Sequence, residues 1–226
     1  MTVANLAPLL ICLIGFIAPV CGGEIQYLAL DDVPRATRTM TGIHGDPINV
    51  GLIGTREELV AAMLAARWQP ADPITFKSTV KLVQSFVLHC SDETAPVSNL
   101  YLWKRKEDLA FEQALGKGAS RRHHVRFWES TKQVDGRPLW LGAATLDTKV
   151  GFSHMTGMIT HHIDANIDAD RDKLMKELSV MGWLLSAEGI EGFQPRPDGR
   201  NGGGDPYHTD GRLLLGVLRS GGAEGR

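Results

Sequence analysis

Apolar and polar positions alternate along this chain in two rhythms, one suited to strands and one to helices. After the Asp46-Pro47 turn, the run Ile48-Asn49-Val50-Gly51-Leu52-Ile53 predicts a first core strand. Thr55 with Glu58 three residues on forms a capping box, and Leu59, Ala62, Met63 and Ala66 then share one helical face. The break at Gln69-Pro70-Ala71-Asp72-Pro73 precedes a second helix, predicted over Phe76 to Leu88 from Phe76, Val80, Val83 and Val87, although its β-branched content leaves a strand open. Short β-prone runs follow at Leu100 to Trp103, Leu109 to Gln113, Arg122 to Glu129 and Leu139 to Leu146, separated by polar or Gly/Pro turns. A further strand is predicted over Met158 to Ile163. After it comes a helix capped by Asp168 or Asp170, with Leu174, Leu178 and Met181 on one face and Gly182 as its stop. The last strand is Arg212 to Leu218.

Strands grouped in sequence, with roughly three helices set among them, predict an α+β class and a mainly antiparallel sheet. The lack of regular strand-helix alternation argues against a doubly wound dinucleotide-binding fold. Residues 24–44 read as an extended lead-in, 45–218 as one domain and 219–226 as a flexible tail.

Composition changes the picture mainly at the N-terminus. Met1 to Gly23 holds no charged side chain, and Leu6 to Val20 is almost wholly apolar. The run is short for a spanning helix, and Pro8 and Pro19 weaken its helical ends, so it reads as a signal peptide or, if retained, a membrane anchor. Small residues for cleavage lie around Val20-Cys21-Gly22-Gly23, while Val20 stands where a lipoprotein signal has a small residue. Cys12 and Cys21 fall inside this segment, which leaves Cys90 as a lone cysteine with no internal bridge to form. Over all 226 residues the net charge is -2, which gives no basic footprint for nucleic acid.

Candidate chemistry centres on two histidine pairs. If Arg122 to Trp128 is a strand, His123, Val125 and Phe127 face one side, and Arg122, His124, Arg126 and Trp128 face the other. Likewise His161 travels with Ile159 and Ile163, whereas Thr160, His162 and Asp164 share the opposite face. His124 and His162, with polar neighbours, are the ligand-facing candidates; His123 and His161 travel with apolar residues and call for buried partners. A divalent metal would draw on His123, His161, His162, Asp164 and His208, though no HExxH or Cys-x-x-Cys spacing supports it. Guanidiniums at Arg121, Arg122 and Arg126 suit an anion. Gly202-Gly203-Gly204 lacks the GK[ST] of a P-loop, so Asp205 and Asp210 read first as a tight polar turn and second as a cation or ligand site. Ser153 beside His154 lacks the closing glycine of a nucleophile elbow.

Taken in order, Gly45-Asp46-Pro47-Ile48-Asn49-Val50, Pro96 to Leu102, Asp108 to Glu112, His123 to Trp128, Thr160 to Ile163 and Asn201 to Gly211 resemble the LssY C-terminal domain family over roughly Gly45 to Leu218. In that family the domain often follows membrane-embedded modules, some of them lipid-phosphatase-like, and it also stands alone behind a signal or anchor. The resemblance implies a cell-envelope setting with membrane or envelope partners and a link to lipid or phosphate-bearing ligands. The phosphatase motif Pro-Ser-Gly-His is missing here, so that activity does not carry over.

Three functional expectations follow. The first is an exported or membrane-anchored accessory domain that binds a ligand or partner through Arg122, His124, Arg126, Thr160, His162 and Asp164, with Asp205 and Asp210. The second is a metal-dependent hydrolase built on His123, His161, His162, Asp164 and His208. In the third, these residues only stabilise the fold.

Overall fold

The computed structural model describes residues 29–71, 99–116, 121–155, 157 and 159–221. The expected signal or anchor at 1–23, the helix expected over 76–88, the three cysteines and most of the expected tail lie outside the described residues. Among the described residues, no helix is long and apolar enough to cross a membrane.

A large, mainly antiparallel sheet organises the chain, which is α+β in class. Its strands are β3 (Val50–Ile53), β4 (Gln69–Pro70), β7 (Leu109–Ala114), β8 (Arg122–Val134), β9 (Arg137–Phe152), β10 (Ile159–Ile163), β11 (Leu184–Ile190) and β14 (Leu213–Leu218). They run in the order β11-β14-β3-β9-β8-β7-β4, with β10 also paired to β9. Among the described residues, every strand pairing in this sheet is antiparallel except β14 with β3, where Leu214 to Val217 lie beside Val50 to Ile53. The stretch read as a lead-in holds β1 (Ala36–Arg38) and the start of β2 (His44–Pro47), which join β5 (Tyr101–Leu102) and β6 (Arg105–Lys106) in a smaller sheet. A short hairpin, β12 (Asp198–Arg200) with β13 (Pro206–His208), carries the glycine-rich loop at its turn.

Helix α1 (Arg56–Ala65) starts as predicted, with Thr55 accepting from the Glu58 N–H and the Glu58 carboxylate accepting from the Thr55 N–H. Helix α2 (Ile167–Val180) starts one residue before the expected cap. Asp168 and Asp170 fall in its first turn, where Asp170 points inward to His123 and Asp168 accepts from the Thr209 hydroxyl. Both helices end in the same way. The N–H of Trp68 returns to Met63 and that of Trp183 to Leu178, and the residue before each tryptophan, Arg67 or Gly182, adopts a positive φ. This is the Schellman stop, at which glycine is the ordinary choice.

Alternation sorts the side chains of the large sheet into two cores. On one face Val125, Phe127, Trp140 and Leu52 meet Leu59 and Met63 of α1 and Leu174 and Leu178 of α2. On the other, Trp128, Leu139, Leu141 and Leu213 meet Ile48, Leu100, Leu102 and Phe193, so the small sheet and its flanking segments form the second cover. Each large apolar side chain buried in this way contributes about 1.5–3 kcal/mol.

Strands β3 and β10 use the same edge of β9, because Asp147 pairs with Arg122 of β8 on one side and with Ile163 of β10 on the other, while Leu141 pairs with Trp128 and Gly51. A gap remains between them, and the fully buried Asn49 fills it. Its carboxamide accepts from the Ala144 N–H at 2.9 Å and donates to the carbonyls of Ala144 at 3.0 Å and Ile167 at 3.3 Å. Asn49→Ala leaves both main-chain groups of Ala144 buried without partners, so a loss of about 2–4 kcal/mol is expected in urea unfolding. A loss below about 1 kcal/mol would mean that this bridge is dispensable.

Candidate functional site

Strand β8 splits its two histidines between the two faces of the sheet. His123 turns to the helical side, where its Nδ1 meets the Asp170 carboxylate of α2 and its ring sits 6.2 Å from that of Trp68. Arg122, His124 and Arg126 share the opposite face and are all buried. Their register explains the company they keep: Arg122 lies opposite Asp147 of β9 and Ala114 of β7, while His124 lies opposite Thr145 and Glu112.

Arg122 distributes its donors among groups of the chain itself. It donates to Glu112 at 2.8 Å, to Asp147 at 3.3 Å and to Nε2 of His161 at 3.2 Å. Because a guanidinium has only donors, Nε2 of His161 must accept, which places that ring's proton on Nδ1. That Nδ1 is buried and has no hydrogen-bond partner among the described residues. Arg126 faces Asp46 of β2 at 3.5 Å, and the other oxygen of Asp46 accepts from the Asn201 carboxamide at 3.2 Å.

Burial and neighbouring charge together set the protonation of this cluster. Desolvation pushes the His124 pKa well below the usual imidazole value, with Arg126, Arg122 and His161 adding to the effect. It likewise lowers His161 to about 4, helped by Arg122 and Arg126. Both rings are therefore neutral at pH 7. Desolvation raises Asp46, Asp147 and Glu112 against the opposing pull of the guanidiniums, and carboxylate neighbours push the same way.

Asn201 connects this cluster to a second one. Its carbonyl oxygen accepts from the N–H groups of Gly203 and Asp205 at 3.0 and 2.9 Å, closing the turn of the β12-β13 hairpin. The Asp205 carboxylate then meets β10: one oxygen accepts from the Ile163 N–H at 3.2 Å, and the other lies 2.6 Å from Nδ1 of His162. The turn after β9 adds His154, whose Nε2 is 3.7 Å from the same Asp205 oxygen. Two further contacts pin this turn to the glycine loop, since the His154 N–H and the Ser153 hydroxyl both donate to the Gly203 carbonyl, at 2.8 and 3.2 Å.

The expected site residues thus fall into separate groups. Arg122, His124 and Arg126 do gather, joined by His161 where His162 was expected. The reason is that β10 pairs with β9, not with β8, and the side of β10 that reaches Arg122 is the one carrying His161. His162 faces the Asn201–Asp205 loop, and the Thr160 methyl lies beside Gly203 of that loop. Asp164 accepts from the Asn166 N–H in the turn before α2. Asp210 is engaged by Arg171 and Arg212, whose hydrogen bonds hold its carboxyl below the usual range. His208 is exposed and bonded to Asp198.

The five proposed metal ligands therefore do not converge: His123 is on the helical side, His161 is on Arg122, Asp164 caps a turn and His208 is at the surface. Of that set only His162 enters a group with ligand geometry, and its companions are Asp205 and His154. Sequence reasoning set His154 aside with the failed Ser153 motif, and nothing local signals its approach to Asp205. Asp46, Glu112 and Asp147 were also missed as site residues, although Asp147 and Glu112 follow from the strand register once it is known.

A family profile described as LssY C-terminus matches residues 30–213. The chain belongs to the LssY C-terminal family. No curated protein and no solved structure matches it. The match begins ahead of β1, so the small sheet is part of the LssY C-terminal domain along with the large one.

In this LssY C-terminal domain the neutral His124 has a consequence for stability. As pH falls below about 6.5, the unfolded chain takes up a proton at this position that the native state refuses, so stability is lost on acidification. The raised carboxylates act in the opposite sense, because the native state holds their protons more readily than the unfolded chain does. Comparing wild type with His124→Gln isolates the imidazole. Urea unfolding at pH 7.5 and 5.5 should show the wild type losing on the order of 1 kcal/mol more than the variant over that interval. Parallel losses would mean that His124 titrates normally in the native state.

Proposed function

We propose that this LssY C-terminal domain is an exported or membrane-anchored accessory domain of the cell envelope that binds a cation at the buried polar end of its large sheet. One observation carries the choice of ligand. Asp46 and Asp147 are buried and Glu112 is half-buried in a cluster whose opposing charges are Arg122 and Arg126, with Asp205 buried beside it against His162, while the rings of His124 and His161 are neutral. Buried carboxylates in excess of buried cations are costly, and a bound cation offsets that cost. An anion would meet the same excess as repulsion, and it would have to displace Glu112 and Asp147 from Arg122. The arrangement therefore favours a cation over a phosphate group. The charge-free segment Met1 to Gly23 supports the envelope setting.

Thermal unfolding provides the test, with Zn²⁺, Mn²⁺ and Mg²⁺ each compared against inorganic phosphate at constant ionic strength. A cation present at about 100 times its Kd stabilises the native state by about 2.7 kcal/mol, which for a chain of this size raises Tm by roughly 5–10 °C. The expected result is such a rise with at least one divalent ion and none with phosphate. Stabilisation by phosphate alone would return the ligand to the anion class.

A further inference from the structure

We infer that His154, His162 and Asp205 form a three-ligand site for a late first-row transition-metal dication, with Zn²⁺ the best fit. This rests on the cation-binding reading and gives it a location. The candidate donor atoms all lie within 4.8 Å of one another. In tetrahedral geometry, ligands at about 2.0–2.2 Å from zinc are about 3.4 Å apart. The 2.6 Å contact between His162 Nδ1 and Asp205 must open by less than about an ångström to reach this, and the 3.7 Å contact from His154 is already close to it.

The surroundings are shaped for these side chains. A Cβ on Gly151 would lie 2.7 Å from Nε2 of His162, so any other residue there would push the imidazole from its place across β9. A Cβ on Gly204 would lie 2.8 Å from Cβ of His154, and Gly204 also has a positive φ of 88°. Two glycines on different elements thus admit the two histidines. The carboxylate is aimed as well: the Ile163 N–H holds one oxygen of Asp205, which leaves the other directed at both rings. Behind it runs the supporting chain from Asn201 to Asp46 to Arg126, the kind of outer shell that orients metal ligands.

Donor chemistry selects the ion. Two imidazole nitrogens and one carboxylate oxygen suit zinc and its neighbours, whereas Mg²⁺ and Ca²⁺ prefer oxygen throughout. His154 is 65% exposed, so the remaining coordination position opens towards solvent, where it can take water or an acceptor atom of a bound molecule.

That exposure also makes His154 the variant to test, because removing it disturbs no buried contact of the kind His162 and Asp205 make. Purified protein is stripped with chelator, and zinc affinity is measured by competition with a chromogenic chelator for wild type, His154→Ala and His208→Ala. Cobalt substitution is followed by visible absorption. The expected result is one zinc per chain, a loss of affinity of about 100-fold or more in His154→Ala, beyond the upper end of the 10–100-fold typical of outer-shell losses, and no change in His208→Ala. A four-coordinate cobalt spectrum present in wild type should be altered in His154→Ala. Stoichiometric zinc that His154→Ala leaves untouched would overturn this site and spare the cation reading. Failure of wild type to bind zinc, cobalt or manganese would overturn this site, and failure to bind magnesium as well would overturn both.

Discussion

Two guanidiniums buried on one face of a single strand set the terms for this end of the fold. Arg122 and Arg126 cannot leave water without partners, and each partner is drawn from a different element: Glu112 from β7, Asp147 from β9 and Asp46 from β2. The first two follow from register alone. The third requires the small sheet to close over the large one, so the charge pairing ties the two covers together where the apolar core gives out. Through Asn201, the same Asp46 positions the glycine loop.

Alternation along β8 assigns opposite duties to adjacent histidines. His123 enters the helical core and is answered by Asp170, while His124 enters the charged face and is kept neutral by its burial and by the arginines around it. This much was legible in the sequence, because a period of two is a local property. The relation of β8 to β10 was not. Parity within Thr160 to Asp164 is also local, but the face that meets Arg122 is decided by pairing through β9, by the length of that strand and by the register shift after His162. A one-residue uncertainty there exchanges His161 for His162.

The same distinction between local and long-range determinants runs through the other strands. Core strands with dense apolar residues, such as β3, β8, β9 and β14, were readable, although β8 and β9 run on well past their apolar stretches. Strand β11 was missed because it lies at the sheet edge and its side chains are mostly exposed, so it carries no alternation. The strands β1, β2, β12 and β13 are three or four residues long and held by long-range pairing. His154 was invisible for a related reason: what brings it to Asp205 is a main-chain contact with Gly203 and the absence of a side chain at Gly204, neither of which is written near His154.

The parallel pairing of β3 with β14 has a consequence for how the chain can be assembled. Strand β3 near the start is completed by β14 near the end, Val50 lying beside Leu214. Everything between them must be synthesised before β14 and β11 can be added to that end of the large sheet. Until then, the β14 edge of β3 has no neighbour, and the sides of Leu52 and Ile53 that later meet β14 are bare. A nascent chain therefore carries an open strand edge through most of its translation. If the chain is carried unfolded across a membrane, this late closure is no handicap, because the last strand arrives in the same compartment as the first before either is needed.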